Sequence, residues 1–185
     1  MRIKKPAISI LVAVLLIMTI ATAFGTSCSH TDPIAIMETS MGTIKFKIYE
    51  NKVPTTAANF IDLANSGFYD GLIFHRVIDD FVIQSGDPTG TGTGGSGTTI
   101  PLEINSELTH GDGAVGMARG SDPNSATSQF YICDKAQHGL NGKYAVFGQV
   151  IEGMDVIRAI AAVPVDSKDK PLQDVVITRI TITES

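Results

Sequence analysis

The stretch Gly71–Gly95 reads GLIFHRVIDDFVIQSGDPTGTGTGG. A short apolar run carries a single arginine, Arg76, turns at Asp79–Asp80, runs apolar again to Gln84, and breaks into a glycine–threonine loop. Arginine is rarely fully buried unless something pairs with it. An arginine flanked by Val77, Phe74 and Ile78 is therefore either a solvated strand residue or the polar point of a pocket. Strand alternation puts Phe74, Arg76 and Ile78 on one face and His75 and Val77 on the other.

The same pattern of short strands continues outward on both sides. Upstream, residues 34–50 read as a hairpin. Ile44, Phe46 and Ile48 alternate with Lys45 and Lys47, as in a half-buried strand. Residues 54–67 read as a helix with an apolar stripe of Ala57, Phe60, Ile61 and Ala64. Thr55 or Thr56 is the expected cap, and Gly67 stands where a left-handed terminus is wanted. Downstream, short strands are expected near 113–117, 128–132 and 145–150. A second helix follows over 154–163, ended before Pro164, and a closing strand over 174–183. Many short strands with two helices and no β-α-β rhythm indicate a mainly β barrel or sandwich. The loop after Asp87 lies inside this domain and reads as a functional loop, not a linker.

The chain has 185 residues, 43 % of them apolar and 18 % charged, which suits one globular domain with appendages. The formal net charge is −5, and Arg2, Lys4 and Lys5 sit apart at the start, so the remainder is more acidic still. With no later basic cluster, nucleic-acid binding is excluded as an expectation, because that affinity comes mainly from cationic contacts to phosphate. Residues 1–27 read as a signal peptide or membrane anchor, with a basic start, an apolar run over 7–24 and a small-residue exit. The stretch GTSC, ending at Cys28, resembles a lipobox, although Gly25 is a poor match where an aliphatic residue is usual. Three outcomes stand side by side: lipidation at Cys28, which is the favoured one, simple cleavage near Ala21–Ala23, or retention as an anchor. All three place the domain outside the cytoplasm, and only this segment touches a membrane. Residues 28–33 form a short tether, and 34–185 the domain. Cys133, between apolar neighbours, reads as a small buried residue.

Several chemistries find no support. The glycine-rich loop lacks the Lys–Ser/Thr pair of a phosphate loop and opens no evident helix. His30, His75, His110 and His138 are scattered without metal-ligand spacing, so no metal and no cofactor are expected. Ser125, Ser128 and His138 show no nucleophile-elbow spacing.

Taken together, FHRVIDDFVIQSGD, GMARGSDPNSATSQFYI and GLNGKYAVFGQVIEGMDVI resemble, in order, three signature segments of the cyclophilin family of peptidyl-prolyl cis–trans isomerases. The resemblance spans about residues 34–183. It implies a closed eight-stranded antiparallel β-barrel capped by two α-helices, with a substrate groove on its outer surface. It also implies rotation about X–Pro bonds in proline-containing segments of folding proteins, here exported ones, by a chain expected to act as a monomer. Arg76 matches the catalytic arginine. Phe81, Val82, Tyr131 and Leu140 match the ring-binding positions, and Gln84 the amide-reading glutamine. The backbone of Ala118 and Arg119 matches the peptide-pairing edge. Gln129 and Tyr144 complete the expected site, and the loop around Gly94 and Gly95 borders the pocket for the residue before proline. The competing reading is a non-catalytic peptide-binding or scaffold protein on the same barrel; the intact Arg76, Phe81 and Gln84 favour the enzyme.

Three positions depart from the family pattern. Tyr131 replaces a usual phenylalanine, which puts a hydroxyl at the pocket rim in this reading. Tyr144 stands where histidine is frequent. Gly139 aligns where many members carry tryptophan, and the chain has no tryptophan at all. Weak cyclosporin binding is the expected result.

Overall fold

Alternation of apolar and polar residues builds one curled antiparallel sheet of eight strands, seen in a computed structural model that describes residues 31–184. The strands are β1 (Ile34–Thr39), β2 (Gly42–Ile48), β3 (Arg76–Ile78), β4 (Val82–Ser85), β5 (Ala114–Met117), β6 (Phe130–Cys133), β7 (Val146–Glu152) and β8 (Ile177–Thr183). Their order across the sheet is β3-β4-β6-β5-β7-β2-β1-β8. The expected closure is not made by a strand ladder, since β3 and β8 are the two ends of the sheet. Instead, the segment before β3 meets Val175 and the first residue of β8, through Phe74 N–H to Val175 O at 2.9 Å and Ile177 N–H to Leu72 O at 2.8 Å. The seam thus falls where β3 is only three residues long.

One face of the sheet encloses the main core. Phe60, from helix α1 (Pro54–Asn65), lies at its centre, with ring centroids 5.0 Å from Tyr69 and Phe147 and 5.5 Å from Phe130. Such a buried aromatic contributes about 2–3 kcal/mol through its apolar area alone. The helix begins with Pro54 in its first turn, where the missing N–H costs nothing. Thr55 and Thr56 are not the cap that the sequence suggested: their backbone N–H groups donate to the Glu103 carboxylate, at 3.1 and 2.6 Å, and no local side chain caps the helix. The exit is as expected, with Gly67 at φ +73°. Helix α2 (Met154–Ala161) buries Ile157, Ile160 and Ala161 and ends before Pro164. No helix among the described residues is long and apolar enough to cross a membrane. The expectations on residues 1–30, including His30 and the lipidation of Cys28, lie outside the described residues.

Period-two alternation also makes a smaller apolar cluster on the outer face. Val82, Ala114, Tyr131, Cys133 and Val146 form it, while their neighbours Ile83, Val115, Phe130 and Ile132 point into the main core. Cys133 is buried and free, and burial pushes its thiol up to about 12. In the arginine stretch the simple alternation fails at one point. Phe74 and Val77 both face the core, because regular strand geometry starts only at Arg76.

Candidate active site

Register carries the site across four strands. Arg76 pairs with Gln84, Gln84 with Tyr131, and Tyr131 with Gly116, forming one row on the outer face. Gly116 is required there, because a Cβ at this position would run into the Tyr131 ring. The row thereby places a guanidinium, an amide and an aromatic ring side by side.

Arg76 is held from three directions. Its Nε lies 3.8 Å from the Asp169 carboxylate, its Nη1 is 3.5 Å from Gln84 Oε1, and its Cζ is 5.8 Å from the Phe81 ring centroid. Among the described residues nothing pairs with Nη2, which leaves a charged donor for a ligand. Gln84 passes the order on: its Nε2 donates to Gln129 Oε1 at 2.8 Å, and Gln129 Nε2 donates to Gly94 O at 2.7 Å.

Beside the guanidinium is a cavity of about 170 Å³ that combines apolar side chains with the polar groups of Gln84, Tyr144 and the two arginines. Phe81, Val82, Tyr131, Leu140 and Tyr144 supply that wall, and Ala118 and Arg119 its outer edge. Arg119 is clipped down, donating to Lys143 O at 2.8 Å and lying 4.7 Å over the Tyr144 ring. Gln129 alone of the expected residues lines the adjoining cleft instead. That cleft, of about 500 Å³, is bounded by the 92–97 loop, Gly120, Ser125 and Thr127, and it shares Gln84, Ala118 and Arg119 with the smaller cavity.

The Tyr131 hydroxyl corrects the sequence reading. It is not at the rim but turned inward, 2.8 Å from His110 Nε2, while His110 Nδ1 is 2.9 Å from Asn141 Oδ1. With an amide oxygen at Nδ1, the ring carries its proton there and Nε2 accepts from the tyrosine. Burial pushes the Tyr131 hydroxyl up beyond its usual range and His110 down, so both are neutral at pH 7. Asn141 follows Leu140 in sequence, so this buried histidine ties two walls of the cavity together.

The cleft is organised by Asp87, a second feature the sequence did not disclose. The side chain is 1 % exposed. It accepts from the N–H groups of Thr89 (2.7 Å), Thr91 (3.1 Å), Gly92 (2.6 Å) and Gly94 (3.1 Å) and from the Thr89 hydroxyl. Burial alone would raise this carboxyl's pKa; the hydrogen bonds from Thr89, Gly94 and Gly92 outweigh it and hold it well below the usual carboxylate range. Gly94 fits only without a side chain, since a Cβ would meet Asp87 and Thr89, and a Cβ on Gly95 would meet Thr127.

Metal ligation finds one grouping among the described residues, Asp79, Asp80 and Asp134 beside the β3–β4 turn. Lys135 already pairs with Asp80, and the Asp80 N–H donates to Asp134. None of the three lines the cavity next to Arg76. His75, His110 and His138 take no part in it.

A cavity with aromatic and aliphatic walls and a charged donor at its edge thus lies on the outer face of the eight-stranded curled sheet, an arrangement able to seat one ring beside a hydrogen-bond donor. The family model described as cyclophilin-type peptidyl-prolyl cis-trans isomerase/CLD matches residues 34–182. A peptidyl-prolyl cis-trans isomerase of Arabidopsis thaliana is 42 % identical over 156 residues, 82 % of this chain and 94 % of that one. A peptidyl-prolyl cis-trans isomerase-like protein of Neurospora crassa is 45 % identical over 150 residues, covering 79 % and 91 %. Among solved structures, a cyclophilin-type isomerase of Cryptosporidium parvum superposes with a TM-score of 0.80 at 35 % identity, over 83 % of this chain and 99 % of that one. The same protein determined in the presence of the dipeptide Ala-Pro gives 0.79 at 36 %, over 82 % and 99 %. The chain belongs to the cyclophilin-type peptidyl-prolyl cis-trans isomerases, and it is an enzyme of that activity.

Proposed function

We propose that Arg76 is the catalytic donor and that the small cavity holds the proline ring of an X–Pro segment. The carrying observation is the guanidinium engaged through Nε and Nη1, with Nη2 unpaired among the described residues, beside a wall of Phe81, Val82, Tyr131 and Leu140. Unaided isomerisation crosses about 18–20 kcal/mol, the cost of lost amide resonance. At the twisted geometry the prolyl nitrogen regains its lone pair and accepts a hydrogen bond that neither planar form accepts as well. A fixed donor aimed there lowers the barrier selectively. A rate gain of about 10⁴ requires only about 5.5 kcal/mol. The backbone of Ala118 and Arg119 holds the peptide chain, Gln84 and Gln129 read its amides, and the larger cleft takes the residue before proline.

The test is an NMR exchange assay on a short X–Pro peptide. Arg76→Ala lowers kcat/KM by at least about tenfold, roughly 1.4 kcal/mol of transition-state stabilisation, with an unchanged melting temperature. Near-wild-type turnover in the folded variant would remove Arg76 from the mechanism.

The substrates in this reading are folding segments of exported proteins, met by a monomer. The basic start, the apolar run over 7–24 and GTSC support export with lipid on Cys28. A single acyl chain anchors only marginally, so lipoprotein processing, which adds several chains to one residue, fits stable attachment. Mass spectrometry of the mature N-terminus decides this. An unmodified start near Phe24 or Thr26 would refute lipidation and leave export standing.

A further inference from the structure

We propose that Asp169 is a positioning residue for Arg76, delivered to the site by a turn near the end of the chain. The inference rests on the assignment of Arg76 as the donor. Asp169 is 93 positions away in sequence from Arg76 by their numbers, and no motif around it marked it for catalysis.

The turn is built to present this carboxylate. Val165 and Pro171 bridge its base, and Asp166 N–H donates to Lys170 O at 2.8 Å. The Asp166 carboxylate accepts from the N–H groups of Lys168 and Lys170, at 2.7 and 3.0 Å. Asp169 itself sits at φ +63°, in the left-handed region; Asp80 is the one other non-glycine residue there among those described. Aspartate tolerates that conformation better than most side chains do.

The turn is also docked onto the strand that carries the arginine. β3 ends the sheet, so one of its edges has no partner strand. Asp169 fills part of that edge, its carbonyl accepting from Val77 N–H at 2.8 Å. Val77 is the residue after Arg76, so the backbone contact brings the Asp169 carboxylate alongside the guanidinium. The resulting Nε–Oδ2 distance of 3.8 Å is the only ion pair Arg76 makes among the described residues.

A carboxylate at Nε acts on geometry. Guanidinium is planar and presents its donors in a rigid fork. The ion-pair contact at Nε, longer than a hydrogen bond, together with Gln84 at Nη1 biases the orientation of the whole plane and with it Nη2, which is unpaired among the described residues. Without Asp169 the Gln84 contact, long at 3.5 Å, and the Phe81 ring are what remain. A donor that swings loses most at the twisted state, where the hydrogen bond must be short and aligned, and little in ground-state binding, which the apolar wall supplies.

Asp169→Asn is therefore expected to lower kcat by about three- to fivefold, the scale of a partly exposed ion pair, with KM within twofold and the melting temperature unchanged. Asp169→Glu is expected to recover part of the loss. Kinetics are measured by NMR exchange in four forms: wild type, Asp169→Asn, Arg76→Ala and the double variant. If Asp169 acts through Arg76, its substitution has no further effect in the Arg76→Ala background. An equal loss in both backgrounds, or none in the wild-type background, overturns the proposal. Should Asp169→Asn fail to fold, Asp169→Gly, which suits the left-handed backbone, is put through the same cycle. If Arg76→Ala itself keeps full activity, the donor assignment fails first, and that result is visible independently of Asp169.

Discussion

The cavity proposed for the proline ring and the cleft beside it share a border at Gln84, Ala118 and Arg119, yet they are built in opposite ways. The cavity is made largely of side chains whose positions follow from strand register and from a histidine tying Tyr131 to Asn141. The cleft is made largely of loop backbone, and its shape follows from one buried carboxylate gathering four N–H groups. A side-chain wall discriminates one ring by shape. A glycine-rich backbone wall leaves room for many side chains, consistent with a pocket for a variable residue.

Removing the organiser of each region separates them. The largest effect is expected at Asp87. Asp87→Asn replaces an acceptor-only group by one that presents two N–H donors to a ring of donors, at a cost of about 2–3 kcal/mol, the scale of unmet buried hydrogen bonds to a charged group. Urea titration of the two proteins measures it. The wild-type pH dependence carries the same signature. The folded carboxyl is held below its ordinary value, near 3.8. Its contribution is therefore complete above that unfolded-state value and fades as pH falls from there toward the folded-state one. The variant, lacking this group, should show a flatter acid limb; an identical acid limb would mean that Asp87 does not organise the loop.

A smaller effect is expected at the rim of the cavity. Gly139 lies in the short turn His138–Leu140, and a Cβ there meets nothing within 4 Å and no left-handed backbone. Gly139→Trp should tighten cyclosporin by about 1–3 kcal/mol, as one added aromatic anchor, with little change in peptide turnover. Drug titration in the isomerase assay reads both quantities. Nanomolar inhibition of the unsubstituted enzyme would show that another side chain already fills this place.

The smallest effect tests the cleft alone. Thr93 lines it from the exposed loop. Thr93→Trp should disfavour Phe-Pro against Ala-Pro peptides by about three- to fivefold, within the range for one altered contact, and leave Ala-Pro turnover within twofold. Equal slowing of both peptides would place the residue before proline elsewhere.

What could be read beforehand divides along the same line. Phe81, Val82, Gln84, Tyr131, Leu140 and Tyr144 could be named beforehand because the family motifs mark individual positions, and the structure brings all six around one cavity. The Tyr131 hydroxyl was misplaced, since its direction depends on His110, which reaches it from a different segment. The role of Asp87 stayed hidden because an acceptor of backbone N–H groups leaves no pattern in the residues it holds. Asp169 and Glu103 were missed for a related reason: each serves a segment far from its own in sequence. Barrel closure was expected from resemblance, but β3 is too short to complete a ladder with β8.

The remote cap on helix α1 has a consequence in time. Glu103 lies on the segment that follows the glycine loop, and among the described residues it is the one acceptor for the amides of Thr55 and Thr56. The opening turn of the helix therefore stays incomplete until a stretch made some 50 residues later has docked, which adds a long loop closure before that turn is secure. In a pulse-labelling experiment, those two amides should gain protection from deuterium together with the loop, later than the interior of their own helix.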